Sequence, residues 1–272
     1  MKIVLIIMGV LALLALTGWW GLQITPRPFP AYAVPAPAPR TVPLPAGLPA
    51  PVERFYHTVY GDNVPVIETV VITGRATMRP MFNIPLPARF IFIHNAGRDY
   101  RHYFEATFYG APLLRVNEGY VDGKSFFESP MGSYTDDPNT NQAANLALWA
   151  EGSMFPAILV TDPRVRWQPI DEHTALLYVP FEDEEDNFVV RFSPETGLID
   201  SMEAMRYRDP GEGQPKILWI TRSIPGKTIA GTKLYATGTA TWLDQGRPWL
   251  TMTLEDIVYN ADVSSYIRIR GQ

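Results

Sequence analysis

The sequence predicts a mainly β protein of α+β class, with one large curved antiparallel sheet or half-barrel, covered by short helices, after an N-terminal transmembrane helix. Two observations carry the sheet. About twelve runs alternate with period two and are joined by short turns, without regular interleaving of helices, which favours an antiparallel meander over a doubly wound sheet. Several runs are also apolar on both faces: Phe90 and Phe92 oppose Ile91 and Ile93, Phe188 and Val190 oppose Val189, and His102, Phe104, Ala106 and Phe108 alternate with Tyr103 and Tyr109. A sheet with one solvated face alternates more cleanly. The pattern therefore implies strong curvature, with helices over the concave side and an apolar cavity beneath them.

The helix ahead of the sheet follows from a third observation: no charged residue occurs from Ile3 to Pro26. That stretch supplies about the twenty apolar residues that cross a bilayer core. Trp19 and Trp20 suit its interfacial end, and Lys2 with the free amine favours a cytoplasmic N-terminus, although Arg27 on the other flank weakens the bias. The expected arrangement is a single-pass membrane protein with residues 3–24 in the bilayer and its C-terminal domain outside the cytoplasm. The alternative is a cleaved export signal, whose nearest cleavage pattern, Ala31-Tyr32-Ala33, falls late and among prolines. Three segments result: an anchor over 1–25, a proline-rich linker over 26–51 and one β-rich domain over 52–272. The linker alternates Pro with small residues, which fixes φ and disfavours helix and sheet, so it reads as a spacer of up to roughly 75 Å if fully extended.

Composition narrows the function classes. A chain of 272 residues with 46% hydrophobic and 19% charged residues is ordinary for a globular protein. A formal charge of −5 leaves no nucleic-acid footprint. The absence of cysteine excludes disulfides, thiolate chemistry, zinc fingers and a lipid-modified cysteine.

Along the domain, Val52, Phe55, Tyr56 and Val59 lie at helical spacing after prolines suited to a first turn. Strand patterns begin at Val66 and continue over 88–95, 101–109, 112–121 and 124–131, with Asp122-Gly123 the strongest hairpin signal. In "DDPNTNQAANLALWAEG", Asn139 with Gln142 forms a capping-box pattern, and Gly152 is expected to end the helix in a left-handed conformation. Strands resume at 164–169, 174–181, 186–193, 198–208, 216–225, 232–243 and 248–260, with the acidic run 182–186 as a solvated turn.

Few residues suggest chemistry. His94 and His102 would share a hairpin, but a metal needs a third ligand, and none is spaced to supply one, so the pair reads as hydrogen-bonded strand-end histidines. Asp137, Asn139 and Asn141 resemble the start of a calcium loop, yet Gln142 and Leu148 stand where glycine and glutamate are required. Asp171, Glu172 and His173 read as a solvated turn. Nucleophile-elbow, phosphate-loop and zincin motifs are absent from the sequence.

The stretches "ALWAEGSMFPAILVTDPRVRWQPIDEHTALL" and "VVRFSPETGLIDSMEAMRYRD" carry a pattern: Glu151, Pro156, Trp167, Thr174 with Ala175, Phe192 with Gly197, and Arg206 with Tyr207. Together with "LPAPVERFY", it resembles an uncharacterised bacterial family of membrane-anchored or exported proteins, a domain of unknown function. The resemblance spans roughly residues 48–209 and implies a single exported β-rich domain. It supplies no activity. The expected architecture is also similar to the half-barrel of periplasmic lipoprotein carriers.

These readings favour a non-catalytic extracytoplasmic domain that binds a lipid or acyl chain, with Phe90, Phe92, Phe104, Phe108, Trp149 and Met154 as lining residues. A protein-interaction or envelope-sensing module is the alternative, and a hydrolase using Glu151 as base is third. No cofactor is implied. Glu151 poses its own problem, because a carboxylate at a helix C-terminus opposes the macrodipole. It should be buried and held by a cation, with Arg206 the first candidate and Arg166 the reserve, either as a structural clasp or at a cavity mouth.

Overall fold

The computed structural model describes residues 1–33, 36–80, 83–229 and 231–268. In chain order the elements are α1 (Lys2–Gln23), β1 (Thr41–Pro43), α2 (Ala50–Val59), β2 (Asn63–Pro65), β3 (Thr69–Met78), β4 (Leu86–Asn95), β5 (Asp99–Phe108), β6 (Ala111–Val121), β7 (Lys124–Ser129) and β8 (Gly132–Thr135). There follow α3 (Pro138–Ala150), α4 (Ile158–Thr161), β9 (Arg166–Pro169), β10 (Thr174–Phe181), β11 (Glu184–Phe192), β12 (Ile199–Tyr207), β13 (Lys216–Thr228), β14 (Tyr235–Trp242) and β15 (Pro248–Tyr259).

β1 and β2 pair with each other, and the other thirteen strands form one antiparallel sheet. Two meanders build it. β3 to β8 lie side by side in chain order, as do β9 to β15, and β3 pairs with β15 to join them. α3 and α4 connect the two outermost strands. The turns are those that the residues dictate: Asp122 (φ 53°) and Gly123 (φ 78°) are both left-handed, as a two-residue hairpin requires.

The doubly apolar strands have two distinct coverings. On the inner face, Phe90, Phe92 and Phe104 join the main core beneath α3. On the outer face, Val71 and Ile93 are buried by Val263 and Ile267 near the C-terminus, with Tyr32 and Ile91 packed against them. Phe29 adds to the same face, its ring 5.8 Å from that of Tyr103 and beneath the Arg89 guanidinium. Two parts of the proline-rich stretch join the fold, Phe29 buried on the sheet and Thr41–Pro43 in a strand. Outer apolarity comes from these terminal segments as well as from curvature.

α3 is buried on every side from Thr140 to Ala150. Its start differs from the capping-box expectation. Asp137 is the N-cap and its side chain accepts the Thr140 N–H, while Pro138 occupies the first turn, where its missing N–H costs nothing. Asn139 turns outward to the Gly211 carbonyl, and Gln142 donates to Asp186. Asp186 therefore leaves the solvated turn assigned to it and anchors α3, accepting from Asn145 as well.

Gly152 does not end the helix by a left-handed turn. The chain continues into a 3-10 turn over Glu151–Met154, and Gly152 is required by space, because a Cβ there would lie 2.8 Å from the Leu159 side chain.

Candidate functional site

Under α3, β4 to β6 meet β12 to β15 across a cavity lined by Phe92, Phe104, Met154, Met202, Trp219 and Met252, among others, with Glu118, Glu151, Asp200, Arg206 and Arg222 as its carboxylates and arginines. Its volume is about 120 Å³, set within about 960 Å³ of atom-free space that includes open solvent at its mouth.

The polar floor is set by strand register. His94 lies opposite Tyr100 and His102 opposite Phe92, so the two histidines are diagonal neighbours on the inner face, with ring centroids 5.8 Å apart. Glu118 is the cross-strand partner of His102. From above, the end of α3 lowers Glu151 onto them. Glu151 Oε2 lies 2.9 Å from His102 Nε2 and 3.0 Å from His94 Nε2, and Glu118 Oε1 lies 3.0 Å from His102 Nδ1.

The cation opposite Glu151 is therefore imidazole rather than arginine. Among the described residues no ion pair joins Glu151 to Arg206. Arg206 donates from Nε to the Ala143 carbonyl at 2.9 Å, and its guanidinium lies over the rings of Trp219 (4.3 Å) and Trp242 (5.3 Å). Arg166, the reserve, pairs with Glu185 on the surface. The dipole argument called for a cation; a side chain 49 positions upstream supplies it.

Burial opposes charge on both partners, but their proximity outweighs it. Desolvation alone would lower the His102 pKa; the Glu151 charge and hydrogen bonds to both carboxylates raise it to about 9. Desolvation alone would raise Glu151; His102 and His94 hold it at about 2. His94 shifts the other way, lowered by complete burial despite its carboxylate neighbour. Neither of its ring nitrogens makes an aligned hydrogen bond, although Nε2 is close to Glu151. Burial also lowers the Arg206 pKa.

Of the expected ligand-binding residues, Phe92, Phe104, Glu151, Met154 and Arg206 line the cavity. Three do not. Phe90 is packed in the core against Phe92 and Phe104. Trp149 is buried on the far side of α3, beside Gly97 and under Arg164. Phe108 packs against Tyr109 where the chain meets Gly21 of α1. His94, His102 and Glu118 were underestimated from sequence. Their signal was present: polar residues at positions whose strand neighbours, Phe92 and Phe104, face the core.

Fold and site together define an antiparallel half-barrel with an apolar cavity over a buried His–Glu floor. The chain belongs to the Family of unknown function DUF6544, which matches residues 39–252. No curated protein matches it. Among solved structures, it is similar to a LolA superfamily protein from Nitrosomonas europaea, with 8% identity, a TM-score of 0.46 and coverage of 82% of this chain and 99% of that one. An outer membrane lipoprotein-sorting protein domain from Vibrio parahaemolyticus is similar at 8% identity and a TM-score of 0.39, covering 70% and 85%.

Proposed function

We propose that this protein is a membrane-tethered extracytoplasmic domain that holds an amphipathic lipid, its acyl chain in the cavity under α3 and its head group toward the charged groups. The observation that carries the reading is the cavity: rings and methionines line one part of it, and Glu118, Glu151 and Arg206 another. Its volume of about 120 Å³ lies below the range of about 300–1,000 Å³ usual for ligand sites, so the cavity must widen on binding. Occupancy by an acyl chain therefore requires Met154, Met202 and Met252 to move, which flexible thioether side chains allow.

α1 supports the tether. It is a 22-residue helix with an 18-residue window of mean hydropathy 2.4, long and apolar enough to cross a membrane, and that window is wholly unburied. The β5–β6 turn sits at its end, with the Tyr109 N–H donating to the Gly21 carbonyl at 2.9 Å and the Tyr109 hydroxyl to Thr17 at 2.6 Å. A span at α1 would hold the sheet beside the bilayer surface. The partner-binding alternative draws less support, because both sheet edges, β8 and β9, are only four residues long, too short to offer an inviting edge.

The test is lipid extraction and mass spectrometry of the full-length protein purified in detergent, beside Thr221→Trp, which fills the cavity from β13, where Thr221 lies opposite Met202 and Ala240 on the inner face. Wild type should retain a stoichiometric lipid and the variant several-fold less. Equal amounts in both, or none in either, would overturn the reading.

A further inference from the structure

We propose that His94, His102 and Glu151 bind a divalent transition-metal ion of the zinc class at the floor of the cavity, with at least one coordination position open. This goes beyond lipid binding and does not depend on it.

Three donor atoms from three separate elements, β4, β5 and the end of α3, lie within 4.8 Å of one another. Both Nε2 atoms lie close to the same carboxylate oxygen, at 2.9 and 3.0 Å. A tetrahedral ion with bonds of about 2.0–2.1 Å holds its ligands about 3.3 Å apart, so each imidazole needs to draw away from the Glu151 oxygen by only a few tenths of an ångström, and the two imidazole nitrogens, within 4.8 Å of each other, need to settle at the same separation.

A purely hydrogen-bonded cluster leaves one member unexplained. His94 is completely buried, yet neither ring nitrogen has an aligned partner, whereas buried polar groups are nearly always paired. An ion among the three donors would take the lone pairs of both imidazoles and the Glu151 oxygen together.

The surroundings fit as well. Glu118, 3.0 Å from His102 Nδ1, would accept that N–H and thereby present Nε2 to the ion, the carboxylate–histidine arrangement that orients metal ligands. Two imidazoles and one carboxylate suit zinc and its divalent neighbours and leave an unfilled position. His102 and Glu151 both line the cavity, so that position faces it. On binding, the metal replaces the proton on His102 Nε2, which passes to solvent, while the Nδ1 proton stays on His102 and is donated to Glu118. Glu118 is a positioning residue and touches no metal.

The experiment uses full-length protein in detergent, stripped of lipid and metal, and titrated with Zn²⁺ or Co²⁺ alone. One ion should bind saturably, and the Co²⁺ absorption spectrum should show imidazole and oxygen ligation. His94→Gln with His102→Gln should abolish binding, and Glu118→Gln should weaken it about 10–100-fold without changing stoichiometry. X-ray absorption of the zinc-loaded wild type should show two imidazoles at about 2.0–2.1 Å, a readout that stands even if a variant fails to fold. Absence of saturable binding, or absorption without imidazole ligands, would overturn the proposal. Metal binding by lipid-free protein leaves the lipid reading to its own test, so the two can fail separately.

Discussion

Glu151 Oε2 and His102 Nε2 lie 2.9 Å apart, joining the C-terminal end of α3 to β5 across the interior of the sheet. Both side chains are shielded from water, at 13% and 2% exposure. Removing one member of a buried pair leaves the other uncompensated, so Glu151→Gln and His102→Gln should each cost about 3–5 kcal/mol in denaturant unfolding. The double variant should cost less than the sum. Additive losses would show that the two residues act independently.

The same pair sets a pH dependence for the chelator-treated protein. Glu151 falls from 4.5 to about 2 on folding, so its contribution is complete above about pH 4.5 and is lost as pH falls toward 2. His102 rises from 6.5 to about 9, so its contribution is complete below about pH 6.5 and fades as pH rises toward 9. His94, Glu118, Tyr100 and Arg206 face the same pair and are common to both proteins compared. Relative to the Glu151→Gln, His102→Gln double variant, wild type should therefore show its largest stability excess between about pH 4.5 and 6.5. An excess that increases above pH 7 would contradict the assigned charges.

Helix α3 gives a sharper contrast. Asp137 caps it and also accepts the Gly211 N–H at 3.0 Å, so Asp137→Ala should cost about 0.5–2 kcal/mol. Asn139→Ala removes only an exposed contact to the Gly211 carbonyl and should stay within about 0.5 kcal/mol of wild type. Chemical denaturation of the two variants, side by side, separates the observed cap from the one that the capping-box pattern suggests.

Gly74 sits in β3 where β15 is bulged between Leu254 and Asp256. A Cβ there would lie 2.3 Å from the Thr253 carbonyl oxygen and 2.7 Å from the Phe90 ring. Gly74→Ala should therefore destabilise by about 1–3 kcal/mol, measured as a lower denaturation midpoint. Gly47→Ala adds a Cβ that meets nothing, although φ is +80°, so its cost reports backbone strain alone and should be the smaller of the two.

These outcomes follow how the fold was written in the sequence. Period-two alternation and local turn chemistry are short-range signals, so β4 to β7 and β10 to β15 were legible nearly to their ends, as was the Asp122-Gly123 hairpin. The Asp137 cap was missed because several side chains compete for one helix start, and tertiary contacts to Gly211 and Asp186 assigned Asn139 and Gln142 elsewhere. The need for a cation at Glu151 was legible from the helix dipole. Its identity was not, because which cation arrives depends on the diagonal register of β4 and β5 and on the angle at which α3 crosses them. Likewise, Phe90 and Phe92 are equivalent in sequence, and only curvature decides that one is core and the other cavity wall.

Photo-crosslinking with a diazirine-bearing fatty acid, followed by peptide mapping of the full-length protein in membranes, tests the central claim most directly. The account predicts adducts at Met154, Met202 or Met252, suppressed by Thr221→Trp, in addition to any along α1. Adducts confined to α1 would place the lipid against the anchor alone and contradict a ligand within the half-barrel.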